Sequence, residues 1–151
     1  MIKKASYARR LRIDLASKNE EELFKWFLSC LLFGKPLQKE IAERAYQEFV
    51  AARLTSPDAI VRAGWDKLVR LLDRAHYVKY DFSTATKLLE VCQELKRHYG
   101  RLTNLLSQAR TASELSGRLQ EFKHIGPVTA RILPRDIRPI WYRSAAFKKG
   151  T

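Results

Sequence analysis

Apolar residues recur every three or four positions along most of the chain, which is the spacing of one face of an α-helix. The longest such stripe begins after Asp81 and ends at Gly100, a residue type that commonly follows the end of a helix. No segment alternates apolar and polar residues for long enough to require a β-strand. The pattern therefore predicts an all-α protein.

Capping residues, prolines and glycines divide this pattern into separate helices. Asn19, followed by three glutamates, predicts a capped helix that carries the apolar segment from Leu23 to Phe33. Because this segment is apolar nearly all round, we expect it to run through the middle of the core. Gly34 should end this helix, and Pro36 should occupy the first position of the next one.

The same signals place the later helices. Ser56 and the proline after it predict a short helix that Gly64 ends, and a further helix is expected from Trp65. Ser113 is expected to cap a helix whose apolar stripe extends to Phe122.

Length and composition limit the kinds of protein this can be. With 151 residues, 46% of them hydrophobic, residues 1–151 are expected to form a single domain with a real core. The longest apolar run, from Trp26 to Phe33, is far shorter than the roughly 20 residues of a membrane span. The first residues lack the apolar segment of a secretory signal. We expect a cytoplasmic monomer that has no membrane partner and associates with the nucleoid when bound to DNA.

No residue pattern predicts a cofactor or a metal. Cys30 and Cys92 lie on apolar helical faces, where a buried reduced thiol is expected. Two cysteines cannot hold a four-cysteine iron–sulfur cluster. His76, His98 and His124 show no metal-like spacing, so no zinc site is predicted.

The distribution of charge is more informative than the net charge of +13. Residues 1–12 contain five basic and no acidic side chains, and residues 122–151 contain seven basic and one acidic side chain. The segment between them carries seventeen basic and fifteen acidic side chains. A basic arm (1–18) and a basic tail (137–151) favour a polyanionic partner, with nucleic acid ahead of a membrane surface. The alternative is that the basic ends only keep the protein soluble.

The sequence EFKHIGPVTARIL, from Glu121 to Leu133, joins two helical patterns through a Gly-Pro step. Pro127 suits the first position of a helix, and Gly126 allows a backbone path that a side chain would obstruct. The free amides at such a helix start attract phosphate groups. The hydroxyl of Thr129 and the basic side chains around it strengthen this prediction, although most Gly-Pro joints are only turns.

Residues Phe122 to Ala130 resemble the hairpin of the helix-hairpin-helix (HhH-GPD) superfamily of base-excision DNA glycosylases, typified by endonuclease III. The hairpin pattern of that family is apolar-Pro-Gly-apolar-Gly-x-x-Thr-Ala. The resemblance places a helix-hairpin-helix at residues 113–136 and extends, less sharply, over residues 20–137. It implies a helical domain that binds double-stranded DNA by its hairpin, bends the duplex and extracts a base. The residues expected to contact DNA are Lys35, Lys123, His124, Ile125, Gly126, Val128, Thr129, Arg131, Arg135 and Arg138.

Several departures from the family pattern bear on activity. His124 replaces the first hairpin glycine, so it must adopt a glycine-like conformation or the turn must differ. Val128 replaces the lysine of members with lyase activity, and a valine cannot form an imine. The catalytic aspartate of the family lies beyond the second helix, where residues 137–151 contain no acidic side chain. Pro134 should also break the second helix early.

Two aspartates are candidates for a catalytic carboxylate. Asp136 lies between Arg135 and Arg138, which would keep it ionised and able to stabilise an oxocarbenium-like sugar; the alternative is an ordinary surface ion pair. Asp81 follows Tyr77 and Tyr80, and it would face a base pocket in which these aromatic rings stack. The alternative is that Asp81 caps a helix and the two tyrosines are half-buried.

Together these features predict a DNA-binding protein of the base-excision-repair type. One form is a monofunctional glycosylase without lyase activity that uses Asp136 or Asp81. The alternative is a non-catalytic DNA-binding or accessory module that keeps the hairpin alone. A helical protein whose basic ends contact RNA is a third possibility.

Overall fold

A computed structural model describes residues 7–142, except for the side chains of Tyr7 and Val128. Residues 7–142 contain helices and no β-strand, so the prediction of an all-α fold is confirmed. The helices are α1 (Tyr7–Arg10), α2 (Glu20–Leu32), α3 (Lys39–Ala51), α4 (Pro57–Arg74), α5 (Asp81–His98), α6 (Leu102–Gln108), α7 (Ala112–Leu119) and α8 (Pro127–Trp141), with a short 3-10 helix at Leu15–Ser17.

Helix α2 is the central helix, as its apolar sequence predicts. Asn19 caps it, because its side-chain oxygen accepts hydrogen bonds from the amides of Glu21 and Glu22 at 2.9 and 3.2 Å. Every residue of α2 from Phe27 to its end is buried. The helix packs against α1, α3, α5, α6 and α8. These five helices therefore surround one apolar helix.

Two glycines end or bend helices where the sequence predicts. Gly64 has φ 83° and ψ 164°, so the helical segment that starts at Pro57 is interrupted before the segment that starts at Trp65. Gly100 has φ 84° and follows the end of α5. Both residues lie in the left-handed region, which glycine adopts without the steric cost of a Cβ atom.

The start of α3 differs from the prediction. Pro36 does not open this helix, which begins at Lys39 after Gln38. The amide of Leu37 instead donates to the carbonyl of Lys35 at 2.8 Å, a tight turn centred on the proline. Leu37, which follows this turn, is partly buried and packs against the core before the helix begins.

The predicted boundaries of α7 are also wrong by a few residues. Thr111, and not Ser113, is the cap, because its hydroxyl oxygen accepts from the amide of Glu114 at 3.0 Å. The helix ends at Leu119, and Phe122 lies in the following turn with its ring buried. Phe122 is therefore an apolar core residue of the turn and does not belong to the apolar stripe of α7.

Helix α8 continues through two prolines, so the predicted break at Pro134 is wrong. Each proline removes one backbone hydrogen bond from the helix. The helix persists because Ala130, Leu133 and Ile137 form a fully buried stripe, and α8 packs against α7 and α2. Burial of apolar surface here outweighs a local sequence preference.

Candidate nucleic-acid interface

A short turn joins α7 to α8 and is anchored by two apolar side chains. Phe122 and Ile125 are buried, and the amide of Ile125 donates to the carbonyl of Phe122 at 3.1 Å. The side chain of Ile125 therefore holds the turn in place and does not reach a partner, which corrects its prediction as a surface contact. Gly126 and Pro127, which follow, are exposed. We call residues 120–129 the hairpin.

The first turn of α8 has no side-chain cap. Gly126 is the residue before the helix, and its carbonyl accepts from the amide of Ala130 at 3.0 Å. The amides of a first helical turn have no partner within the helix, so they are available to an acceptor from outside. Thr129, partly exposed, adds a hydroxyl to this surface. The side chain of Val128 lies outside the described part of the structure.

The fold itself does not require glycine at the hairpin. Gly126 has φ −89° and ψ −178°, an extended conformation open to any residue, and a Cβ atom added there would meet nothing within 4 Å. The prediction that a side chain would obstruct the backbone path is therefore wrong for the free protein. His124 is not among the described residues with positive φ, so this turn differs from one that needs a glycine at that position.

The basic side chains of the hairpin are partly neutralised by α5. Nε2 of His124 lies 2.6 Å from Oε1 of Glu90, and Nζ of Lys123 lies 3.9 Å from the same oxygen. The backbone amide of Lys123 donates to Glu94 at 3.2 Å. The hydrogen bond from His124 and the charge of Lys123 lower the pKa of Glu90. The positive charge expected at the hairpin is thus in contact with acidic side chains that lie about thirty positions earlier in the sequence.

Helix α8 presents a row of arginines to solvent. Arg131, Arg135 and Arg138 are exposed, and none of them forms an ion pair with any residue between 7 and 142. Their spacing of four and then three residues places them on one face of the helix, over roughly 10 Å. We call this face the arginine stripe. The three residues were predicted individually, and the helical spacing is the signal that joins them.

Lys35 and His124 line the same groove beside the hairpin. Its volume is about 400 Å³. The ammonium of Lys35 also lies 5.3 Å from the ring centroid of Tyr80, and the ring of Phe82 packs at 5.1 Å against that of Trp65. The lining residues, which we call the basic groove, are Lys35, Phe82, Ser83, Thr86, Lys87 and His124.

Lys87 and Phe82 belong to this site, although neither was predicted as a site residue. Lys87 is partly buried, and burial together with the charge of Lys35 lowers its pKa to about 8. Phe82 is 60% exposed, which is unusual for a large apolar side chain. The available signal was the polar face of α5, where Ser83, Thr86 and Lys87 recur at helical spacing beside the apolar stripe.

Asp136 does not lie on the basic surface as predicted. Nε1 of Trp26 lies 3.4 Å from Oδ2 of Asp136 and donates to it, at the contact between α2 and α8. No ion pair joins Asp136 to Arg135 or Arg138 in the described structure. Burial raises the pKa of Asp136, although the charge of Arg135 opposes this effect. Neither predicted role, a carboxylate kept ionised by arginines or a surface ion pair, fits this placement.

Asp81 is also differently placed from a base pocket. It is the first residue of α5, and its carboxylate accepts from the amide of Phe82 at 2.6 Å. Tyr77 is fully buried, and its hydroxyl donates to the carbonyl of Leu32 at 2.5 Å, so its ring is not available for stacking. A hydrogen bond with Asp81 raises the pKa of Asp73. The alternative prediction, that Asp81 is the cap, is wrong by one position, because Tyr80 is the residue before the helix and no side chain caps it.

The basic arm contributes less free charge than its composition indicates. Arg10 is ion-paired with Glu43 on α3. The ammonium of Lys18 lies 5.3 Å from the ring centroid of Trp141, which brings the end of the arm to the end of α8. Residues 1–6 of the arm and residues 143–151 of the tail lie outside the described part, so the prediction for the tail beyond Tyr142 concerns residues that the structure does not describe.

The described residues also bear on other classes of site. Cys30 and Cys92 are buried and unpaired, as predicted. Between residues 7 and 142, no three histidine, cysteine or acidic side chains are grouped as metal ligands, and no helix has the length and hydropathy to cross a membrane. Comparisons with protein-family models, with curated proteins and with solved structures find no match.

Proposed function

We propose that this protein binds double-stranded DNA, with the hairpin and the arginine stripe on the phosphate backbone. The arginine stripe carries the proposal. Three exposed guanidinium groups continue along α8 from its uncapped start, and none of them forms an ion pair with a residue between 7 and 142. Arginine pairs well with phosphate oxygens, and a helix start adds amide donors. Such contacts hold a duplex without reading its sequence.

The open space at Gly126 supports the same proposal. The free protein does not need glycine there for its backbone conformation or its packing. We therefore propose that the absence of a side chain lets a phosphate backbone approach closely. The resemblance of Phe122–Ala130 to the helix-hairpin-helix of base-excision glycosylases agrees with a backbone contact at this turn. We propose that α7, the hairpin and α8 act as such a unit within an atypical member of that superfamily.

Of the two forms considered, the geometry favours a non-catalytic DNA-binding module. Asp136 accepts from Trp26 between two helices, and Asp81 is occupied at the start of α5. Neither carboxylate lines the basic groove. The enzymatic form, a monofunctional glycosylase, would show base release from damaged duplexes, and this release would be lost in Asp136→Asn or Asp81→Asn.

A salt titration of duplex binding tests the proposal. Each lost phosphate contact lowers the slope of log affinity against log salt concentration by roughly 0.9. Replacing Arg131, Arg135 and Arg138 together by alanine should therefore lower the slope by about two to three and weaken binding strongly. The measurement is fluorescence anisotropy with a labelled duplex of random sequence.

The matched control removes the same number of charges from other faces. Arg44, Arg70 and Arg97 are exposed on α3, α4 and α5, and their joint replacement by alanine should change the slope much less. Equal slopes for the two triple variants would contradict the proposal. Tighter binding to duplex RNA than to duplex DNA would instead favour an RNA-associated protein.

A further inference from the structure

Lys87 on α5 presents an amine to the basic groove. Its Nζ atom packs against the loop after α2, so close that a Cβ atom added to Gly34 would lie 3.4 Å away. No ion pair joins Lys87 to a carboxylate between residues 7 and 142. Glu90, one turn further along α5, is bound to His124. The amine of Lys87 is therefore partly buried, and no described carboxylate neutralises its charge.

The second lysine of the groove changes the protonation of the first. Lys35 reaches the groove from the loop after α2, and His124 reaches it from the hairpin, with Glu90 bound to its ring. Burial and the charge of Lys35 lower the pKa of Lys87 to about 8. At pH 7 roughly a tenth of the Lys87 side chains therefore carry a neutral amine, which is the nucleophilic form of lysine.

The other groups of the groove fit a small molecule that carries a phosphate. The ammonium of Lys35 supplies a positive charge for phosphate oxygens. The hydroxyl oxygen of Thr86 accepts from Nε1 of Trp65 at 3.0 Å, which leaves the hydroxyl proton for an oxygen of the ligand. The volume of about 400 Å³ lies within the range of small-molecule sites. A cation suited to phosphate and a nucleophilic amine thus share one groove.

We propose that Lys87 is a modification site, at which an acyl phosphate bound in the basic groove transfers its acyl group to the amine. An acyl phosphate combines a phosphate with a reactive carbonyl carbon in one small molecule. Lys35 binds the phosphate, and the hydroxyl of Thr86 donates to the carbonyl oxygen. This inference goes beyond the proposed DNA binding and does not depend on it.

The transfer consumes one acyl phosphate and needs no further reactant. The neutral amine attacks the carbonyl carbon with its lone pair and forms the N–C bond. The bond between that carbon and the phosphate oxygen breaks, and the phosphate leaves with the bonding electron pair. One proton passes from the nitrogen to the departing phosphate. The products are an uncharged amide on Lys87 and hydrogen phosphate, and no atom is oxidised or reduced.

Acetylation by acetyl phosphate tests the proposal. The full-length protein is incubated with acetyl phosphate, and peptide mapping by mass spectrometry gives the initial rate of acetylation at each lysine. We expect Lys87 to react at least about tenfold faster than Lys67 and Lys79, which are exposed and do not line the groove. The rate at Lys87 should saturate as the concentration of acetyl phosphate rises, and inorganic phosphate should inhibit it.

A reagent without a phosphate separates binding in the groove from the reactivity of the amine. The acetyl thioester of N-acetylcysteamine carries the same acetyl group but offers no phosphate to Lys35. The preference for Lys87 over Lys67 should be greater with acetyl phosphate than with the thioester by roughly fivefold or more, because a hydrogen bond to a charged group contributes only in the first case. Equal preferences with the two reagents would overturn the proposal.

Two matched variants test the role of Lys35. Lys35→Met removes the charge that binds phosphate, so the half-saturating concentration of acetyl phosphate should rise by about tenfold. It should also move the pH of half-maximal acetylation upward, because loss of a neighbouring positive charge raises the pKa of Lys87. Lys79→Met is the control, since Lys79 also approaches Tyr80, at 5.7 Å from its ring centroid, but does not line the groove. Both variants should keep the thermal midpoint of the wild type, which excludes unfolding as the cause of any change.

The outcomes are independent of the proposed function, because none of these assays contains DNA. Saturable acetylation that maps to Lys87 and weakens in Lys35→Met supports the modification site. Equal rates at Lys67, Lys79 and Lys87 overturn it. A rate at Lys87 that neither saturates nor responds to inorganic phosphate overturns it as well, since the groove would then bind no acyl phosphate.

Discussion

Nε2 of His124 lies 2.6 Å from Oε1 of Glu90, which fastens the hairpin to the middle of α5. This contact lowers the pKa of Glu90 below its ordinary 4.5. A lowered carboxyl pKa contributes stability that is present above the unfolded-state pKa and is lost as the pH falls through the folded-state pKa. The same carboxylate places a negative charge beside the surface that we propose for phosphate.

Glu90→Gln should therefore strengthen duplex binding. The substitution removes a negative charge and frees Lys123, whose Nζ lies 3.9 Å from the carboxylate. We expect an affinity gain of about two- to tenfold at low salt, which shrinks as salt screens the charges. Fluorescence anisotropy measures the change. The control is Glu48→Gln, which removes the ion-pair partner of Arg74 and should leave duplex affinity nearly unchanged. A gain of similar size in both variants would contradict a specific role for Glu90.

Gly126→Val should impair DNA binding more than it impairs folding. A side chain meets open space in the free protein but would stand between α8 and a phosphate backbone. We expect stability in chemical denaturation to change by no more than about 1 kcal/mol and duplex affinity to fall by about tenfold. Gly117→Val is the matched control, since Gly117 is exposed on α7 and also has open space around it. Equal affinity of Gly126→Val and wild type would count against the hairpin as a contact.

Asp136→Asn should stabilise the protein at neutral pH. Burial raises the pKa of Asp136 in the folded state, so ionisation of this carboxyl above its folded-state pKa disfavours folding. An asparagine keeps an acceptor for Trp26 and carries no charge. Denaturation as a function of pH should show the advantage of the variant at neutral pH and its decline as the wild-type carboxyl becomes protonated. A variant less stable than wild type at neutral pH would show that the charge itself is favourable.

Pro139→Ala should stabilise α8. Pro139 is exposed, so its replacement costs little packing, and the restored amide can donate to the carbonyl of Arg135 within the helix. We expect a gain of about 1–3 kcal/mol, less the part lost because the unfolded chain becomes more flexible. Urea denaturation and the helical circular dichroism signal give the result. No gain would mean that α8 already bends there at no cost.

Local signals in the sequence predicted the fold well where one residue acts on its own neighbours. Asn19 caps α2, Gly64 interrupts α4, and Gly100 follows α5, because each effect depends on backbone conformation within one turn. The same reasoning failed at Pro36 and Pro134. At Pro134 the buried stripe of α8 decides the outcome, and at Pro36 a tight turn replaces the predicted helix start.

The candidate site was predictable only in part for the same reason. Arg131 and its stripe follow from helical spacing, which a sequence displays directly. The position of Glu90 beside His124 cannot be predicted in this way. The two residues are far apart in the chain and meet only when α5 packs near the hairpin. Lys87 was missed since a lysine on a polar helix face gives no sign of enclosure until the loop carrying Lys35 covers it.

The sequence by itself determined that the protein is helical, which helix is central and where positive charge concentrates, because these properties depend on residue type and on spacing along the chain. Tertiary structure alone decided that α8 continues past Pro134, that Asp136 turns towards Trp26, and that Lys87 shares a groove with Lys35. These outcomes depend on which surfaces are removed from water when the helices pack. Burial changes both the free energy of a local conformation and the pKa of an ionisable group, and neither change is encoded by a residue and its immediate neighbours.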